Sequence, residues 1–212
     1  MPPSLLLTIG TLASATAVYA GLRFRQQRLY AALARAQASL GERHGRLLEF
    51  RAWPTLPPFD DKLVALADFL PQSTFNALRR HALTIAEAER SYVPGHKKGG
   101  TVAYADLQRR APELVAFYQA PELIQLCSRI VGERLLPTPI HDQSSCSLLI
   151  YDRPADHIGW HYDHNFYDGR HFTVLYALIN ENRASGALSS AQLTIRCAGA
   201  DRIVPTPPAS PW

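Results

Sequence analysis

Cysteine is scarce in this 212-residue chain: Cys127, Cys146 and Cys197 are odd in number, widely spaced and without any C-x-x-C pair. That excludes a disulfide framework and a thiolate zinc site, and it suits a reducing compartment. Charge of one sign is missing from most of the chain as well. The net charge is +4, yet residues 23–51 hold seven arginines against two glutamates, which leaves the remainder close to neutral. A nucleic-acid binder would carry a basic stripe with stacking aromatics on its folded part. Here the positive charge sits directly behind an apolar segment, so nucleic acid is not an expected partner and a membrane surface is. Internal repeats and low-complexity tracts are absent, and no histidine occurs after His171. What is present, 47% hydrophobic residues, is enough for one substantial core, so a single globular domain with an appendage is expected.

The appendage is residues 4–22, SLLLTIGTLASATAVYAGL, which carry no charged side chain. As a helix rising about 1.5 Å per residue the run spans roughly the 30 Å of a bilayer's hydrocarbon core. Val18-Tyr19-Ala20 resembles a signal-peptide cleavage site, but such peptides place their basic residues ahead of the apolar stretch. Here Arg23, Arg25 and Arg28 follow it. The expectation is an uncleaved single-pass anchor over residues 1–22, with the arginine side and the folded domain in the cytoplasm.

Residues 23–59 read as a basic juxtamembrane helix followed by a proline-rich linker, RAWPTLPPFD. Leu33, Leu40 and Leu47 recur every seven residues, which would suit either a short dimerising coiled coil or a helix lying near anionic headgroups; the second is preferred. Helical patches are expected at about 60–70, 73–91, 112–119 and 121–132, with Ser73 as an N-cap and Pro112 and Pro121 in first turns. PGHKKGG, between the second and third, carries turn chemistry. From about residue 145 strand-like runs take over: CSLLIY, HIGWHYD, HFTVLYALI, AQLTIRC and RIVP. Helices first and strands later predict an α+β chain.

Three histidines and an aspartate crowd into HIGWHYDHN, residues 157–165. On a strand, His157, Gly159, His161 and Asp163 would share one face and Ile158, Trp160 and Tyr162 the other. His161 and Asp163 would then offer one nitrogen and one oxygen to adjacent corners of an octahedral ion, two-thirds of a 2-His-1-carboxylate triad. A hydrogen-bonded His-Asp pair in a loop is the plainer alternative, and zinc held by His157, His161 and Asp163 is another. His157 and His164 are better suited to solvent or to supporting contacts than to ligation.

The stretch LLIYDRPADHIGWHYD resembles the 2-oxoglutarate- and Fe(II)-dependent dioxygenase superfamily, in particular its prolyl 4-hydroxylase-like branch. There a tyrosine ends the strand before the one bearing H-x-D; here it is Tyr151. GRHFTVLYALINEN resembles the next core strand, ending in a turn near Asn180. The likeness covers about residues 145–204. It implies that residues 60–212 form a partial dioxygenase domain, with a helical region packed on an incomplete double-stranded β-helix, or jelly roll. It further implies that His161 and Asp163 bind Fe(II), and that Tyr151, with Tyr176 as a second candidate, helps hold the co-substrate 2-oxoglutarate. Ascorbate is a further candidate cofactor. The implied chemistry is hydroxylation of an unactivated C–H bond coupled to decarboxylation of 2-oxoglutarate, on a protein side chain or a small molecule. The family's distal histidine, and the arginine or lysine about ten residues beyond it, have no counterpart: His164 and His171 lie too near the motif, and Arg183, Arg196 and Arg202 follow no late histidine. The expectation is therefore a shortened member with impaired catalysis, or a non-catalytic, membrane-tethered binding protein of the same fold.

Overall fold

The computed structural model describes residues 3–45, 48–52, 55–59, 62–85, 87–138, 142–163, 167, 169–182, 184–197 and 199–206; the side chains of residues 3–13 are outside this set. Leu47, His164 and Arg183, on which sequence expectations fall, lie outside the described residues. So do the side chains of the first ten residues of the 4–22 segment.

Helix α1 (Pro3–His44) runs without interruption for 42 residues, about 63 Å at 1.5 Å per residue. Gly41 does not break it. Among the described residues no helix is long and apolar enough to cross a membrane. The helix has two unlike parts. From residue 14 to residue 29 every side chain is exposed, Val18, Leu22, Phe24 and Leu29 among them. Its C-terminal end joins the domain: Leu40 is buried in the core, Gln37 donates to the Tyr104 hydroxyl, and Leu48 and Phe50 beyond the helix pack on the same cluster. The packing therefore reaches back across the boundary expected at residue 60, because Leu40 of the leucine repeat faces the chain's own core.

Four short helices follow: α2 (Gln72–Leu83), α3 (Tyr104–Arg110), α4 (Pro112–Tyr118) and α5 (Pro121–Val131). The patch expected at 60–70 forms no helix among its described residues, and α2 stops well short of residue 91. Ser73 is not an N-cap. Helix α2 is preceded by Pro71 with no side-chain cap, and the Ser73 hydroxyl instead points to Glu49. Pro112 and Pro121 do occupy first turns, where a missing N–H costs nothing and the fixed φ suits the helix. Gly132, at φ +79°, closes α5. Helix α4 is the hub: Leu114, Val115, Ala116 and Phe117 are buried. At its first turn Glu113 accepts from His44 Nδ1 at 3.0 Å and from His81 Nδ1 at 3.1 Å, tying α1 and α2 to it.

The chain is α+β, with antiparallel sheets. Strands β1 (Glu89–Val93) and β2 (Lys97–Val102) form a hairpin. On the free edge of β2 lie first β3 (Leu148–Ile150), opposite residues 100–102, and then β4 (His157–Ile158), opposite residues 97–98. β3 and β4 thus behave as one strand interrupted by an excursion over residues 151–156. A separate hairpin pairs β5 (Leu193–Cys197) with β6 (Ala200–Val204). Two sequence expectations fail here. HFTVLYALI is not a strand, and HIGWHYD is a strand only at its first two residues, so His161 and Asp163 sit on irregular backbone.

Candidate functional site

The excursion between β3 and β4 is held by charge. Arg90 on β1 reaches across the sheet and donates to both carboxylate oxygens of Asp156 at 2.7 Å and to Asp152 at 3.1 Å. Asp156 also accepts the backbone N–H groups of Asp152 and Arg153, each at 3.1 Å. Its side chain is 1% exposed. Burial, the largest influence on this carboxyl, acts to raise its pKa. The hydrogen bonds from Arg90 and Arg153 and the positive charges of Arg90 and Lys98 outweigh it and hold Asp156 below the ordinary carboxylate range. Lys98 Nζ adds a bond to the carbonyl of Pro154 at 2.9 Å.

This clamp fixes where the chain re-enters the sheet and hence where HIGWHYD begins. β4 is followed by Gly159, whose N–H donates to the His96 carbonyl at 2.5 Å. A Cβ at residue 159 would stand 3.2 Å from the carbonyl oxygens of Gly95 and His96, so any side chain there would push the two backbones apart by a few tenths of an ångström. Two residues on, His161 Nδ1 lies 2.9 Å from the Gly159 carbonyl. That contact makes Nδ1 the protonated nitrogen and leaves the lone pair on Nε2. Asp163 is fixed likewise: Thr173 donates to its Oδ2 at 2.6 Å, leaving Oδ1. His161 Nε2 and Asp163 Oδ1 are 3.8 Å apart, with side chains 39% and 51% exposed. The structure thus brings together the two residues singled out in the sequence, through a loop rather than a strand. Their outer atoms are engaged and their inner ones open toward each other.

The two tyrosines have different surroundings. The Tyr151 ring lies over Gly99, where a Cβ would come within 2.7 Å of it. Its hydroxyl is pushed up in pKa by burial and then by the Asp156 charge, so it stays a proton donor. Tyr176 is part of the core, its ring centroid 5.3 Å from Phe69, 6.3 Å from Phe75 and 5.2 Å from Phe117; burial raises its pKa too. His157 is exposed on β4, its Nδ1 2.9 Å from the Ala155 carbonyl. Of the later arginines, Arg196 stacks on Trp160 at 4.4 Å and pairs with Asp201. Asn180 binds Thr206 and Ser189, bracing the 180–189 loop.

Sequence reading missed Arg90, Asp156, Thr173 and His96. His96 sits in the turn between β1 and β2, its ring 6.0 Å from that of His161 with the planes at 88°. Among the described residues no group of three His, Cys, Asp or Glu side chains converges closely enough to hold an ion as it stands. The fit to a metal is therefore that of two prepared donors. Their chemistry, neutral imidazole with carboxylate, suits a divalent ion of the Fe(II) or zinc kind. No family model, no curated protein and no solved structure matches the chain.

Proposed function

We propose that this chain is a membrane-anchored member of the Fe(II)- and 2-oxoglutarate-dependent dioxygenase type, built on an incomplete jelly roll with its domain on the cytoplasmic side. The observation that supports the reading is the pairing of two open donors, His161 Nε2 and Asp163 Oδ1, each oriented through its other polar atom, by Gly159 and Thr173. A second-side hydrogen bond on a ligating imidazole or carboxylate is what metal sites use to fix tautomer and aim. When bound, Fe(II) with 2-oxoglutarate and O2 would supply oxidative hydroxylation of a C–H bond, with succinate and CO2 as by-products.

The chain's own residues would do the rest. His161 and Asp163 hold the ion on an open face that a bulky substrate can reach. Tyr151, kept protonated, donates its phenol to a carboxylate of the co-substrate. Tyr176, enclosed by phenylalanine rings, packs in the core. The exposed apolar side chains of α1 and the arginines behind them suit a bilayer and its anionic headgroups.

A second reading, a non-catalytic tethered binding domain of the same fold, is favoured by one observation: among the described residues no third donor converges on the pair. Succinate formation separates the two. Purified full-length protein given Fe(II), ascorbate and 2-oxoglutarate releases succinate under the first reading and loses it in His161→Ala. Iron uptake without succinate supports the second.

A further inference from the structure

We propose that residues 171–177 form a strand that pairs antiparallel with the same segment of a second copy of this chain, joining two molecules about a two-fold axis at Val174. The inference is independent of what His161 and Asp163 bind.

The segment is strand-like in every respect except a neighbour. Its sequence, HFTVLYA, is rich in β-branched and aromatic residues. Its backbone passes through all seven residues without a turn or bend, and none of them has a positive φ. Among the described residues, no N–H or carbonyl of residues 171–179 enters a backbone hydrogen bond. Tyr176 fixes one end in the core against Phe69 and Phe117, and Phe172 packs on Phe59 near the other. Between these anchors Thr173, Val174 and Leu175 are exposed, Val174 by 57% and Leu175 by 59%. The two ring anchors therefore hold an open apolar edge in place, and such an edge is a template for a further strand. Ile179 and Leu188 are exposed too, Leu188 held opposite Glu181 by an isolated bridge, and they enlarge the apolar surface at its end.

The charge pattern selects the occupant. From Phe172 to Asn180 there is no charged side chain, so a strand laid along this edge must itself be neutral and largely apolar. Of the chain's other runs of that kind, Leu148–Ile150 is paired with β2, and β5 is paired with β6. The same segment in a second copy remains. In an antiparallel pair related by a two-fold axis, one residue faces its own copy. With Val174 there, at the centre of the exposed run, Thr173 faces Leu175 and Phe172 faces Tyr176 across the pair. Such β-branched and aromatic pairs stabilise sheets. The two Arg170 side chains fall at opposite ends, about 27 Å apart at about 3.4 Å per residue, so no like charges meet. Pairing also steadies the backbone of Thr173, whose hydroxyl donates to Asp163 Oδ2 at 2.6 Å.

The test uses the full chain in detergent micelles, followed by sedimentation over a concentration series. Wild type should sediment as a dimer that dissociates on dilution. Val174→Lys, which sets two ammonium groups face to face at the axis, is expected to weaken association at least about tenfold. Val174→Thr, which keeps a neutral β-branched side chain, should leave it within about twofold, and circular dichroism of both variants checks the fold. With copper phenanthroline as oxidant, Val174→Cys should form a disulfide-linked dimer, whereas Leu136→Cys, exposed beyond α5, should not. Association through the exposed part of α1 would leave the Val174→Lys dimer intact and Val174→Cys unlinked. That result, or a wild type that stays monomeric throughout the series, overturns the proposal.

Discussion

Gly159 donates its backbone N–H to the carbonyl of His96 at 2.5 Å, and this bond joins the turn between β1 and β2 to the histidine-rich loop. The approach is tight enough to crowd a side chain, since a Cβ would meet backbone oxygens at 3.2 Å and the His96 Cα at 3.4 Å. Backbone cannot swing aside as a rotamer can. Gly159→Val is expected to cost about 1–3 kcal/mol, the usual range for overpacking, and to weaken metal binding together with stability. Urea unfolding and Co(II) titration on the same sample check it.

Asp156 makes the domain acid-sensitive. Its folded pKa is depressed, so its contribution is fully present above the ordinary carboxylate value of 3.8 and is lost as pH falls through the folded value. Asp156→Asn makes one of the two carboxylate partners of Arg90 neutral, leaving Asp152, and removes this dependence. The variant should melt lower than wild type at neutral pH, and the gap should narrow as the pH is taken below about 4. Thermal melts at both ends of that range measure it.

How much of this was legible beforehand depended on whether the signal was local. Pro112 and Pro121 announce α4 and α5 because a first-turn proline acts within its own helix. AQLTIRC and RIVP announce a hairpin because its two halves are adjacent. The β1–β2 hairpin was not legible: ERSYV looked like the tail of a helical patch, and KKGGTV has weak strand character. Besides β1, β2 is held by Leu148 to Ile150, nearly fifty residues away. Conversely HFTVLYALI has strand composition but, among the described residues, no ladder partner, and strand propensity without a neighbour builds no sheet. The nearness of His161 and Asp163 was legible from their H-x-D spacing taken with the resemblance of the surrounding segment. The reason first given, alternation on a strand, was wrong; a loop pinned by Gly159 and Thr173 achieves the pairing. His96 carries no sequence signal at all, because only the sheet brings residue 96 beside residue 161.

Tyr151 should report on co-substrate. Removing its hydroxyl in Tyr151→Phe is expected to weaken 2-oxoglutarate binding by about twofold to tenfold, the worth of one hydrogen bond, with little change in metal affinity. Gly99→Ala, whose Cβ would intrude on the Tyr151 ring, should have a similar effect through displacement of the ring. Calorimetric titration of the metal-loaded protein with 2-oxoglutarate distinguishes the two affinities.

The helical core carries the stability. Leu78 on α2 is 0% exposed, and Leu78→Ala is expected to cost about 2–5 kcal/mol by lost transfer energy and the cavity left behind. Arg109→Ala, removing an exposed pair with Asp106 on α3, should change stability by well under 1 kcal/mol. Chemical denaturation of the two variants side by side checks the contrast.

The central claim, that His161 and Asp163 hold a divalent ion, is tested most directly by anaerobic equilibrium dialysis of the full chain against Fe(II). Wild type should retain about one iron per chain, and the double variant His161→Ala, Asp163→Ala should retain none while keeping its circular dichroism. Equal iron in both proteins, or none in either, would contradict it.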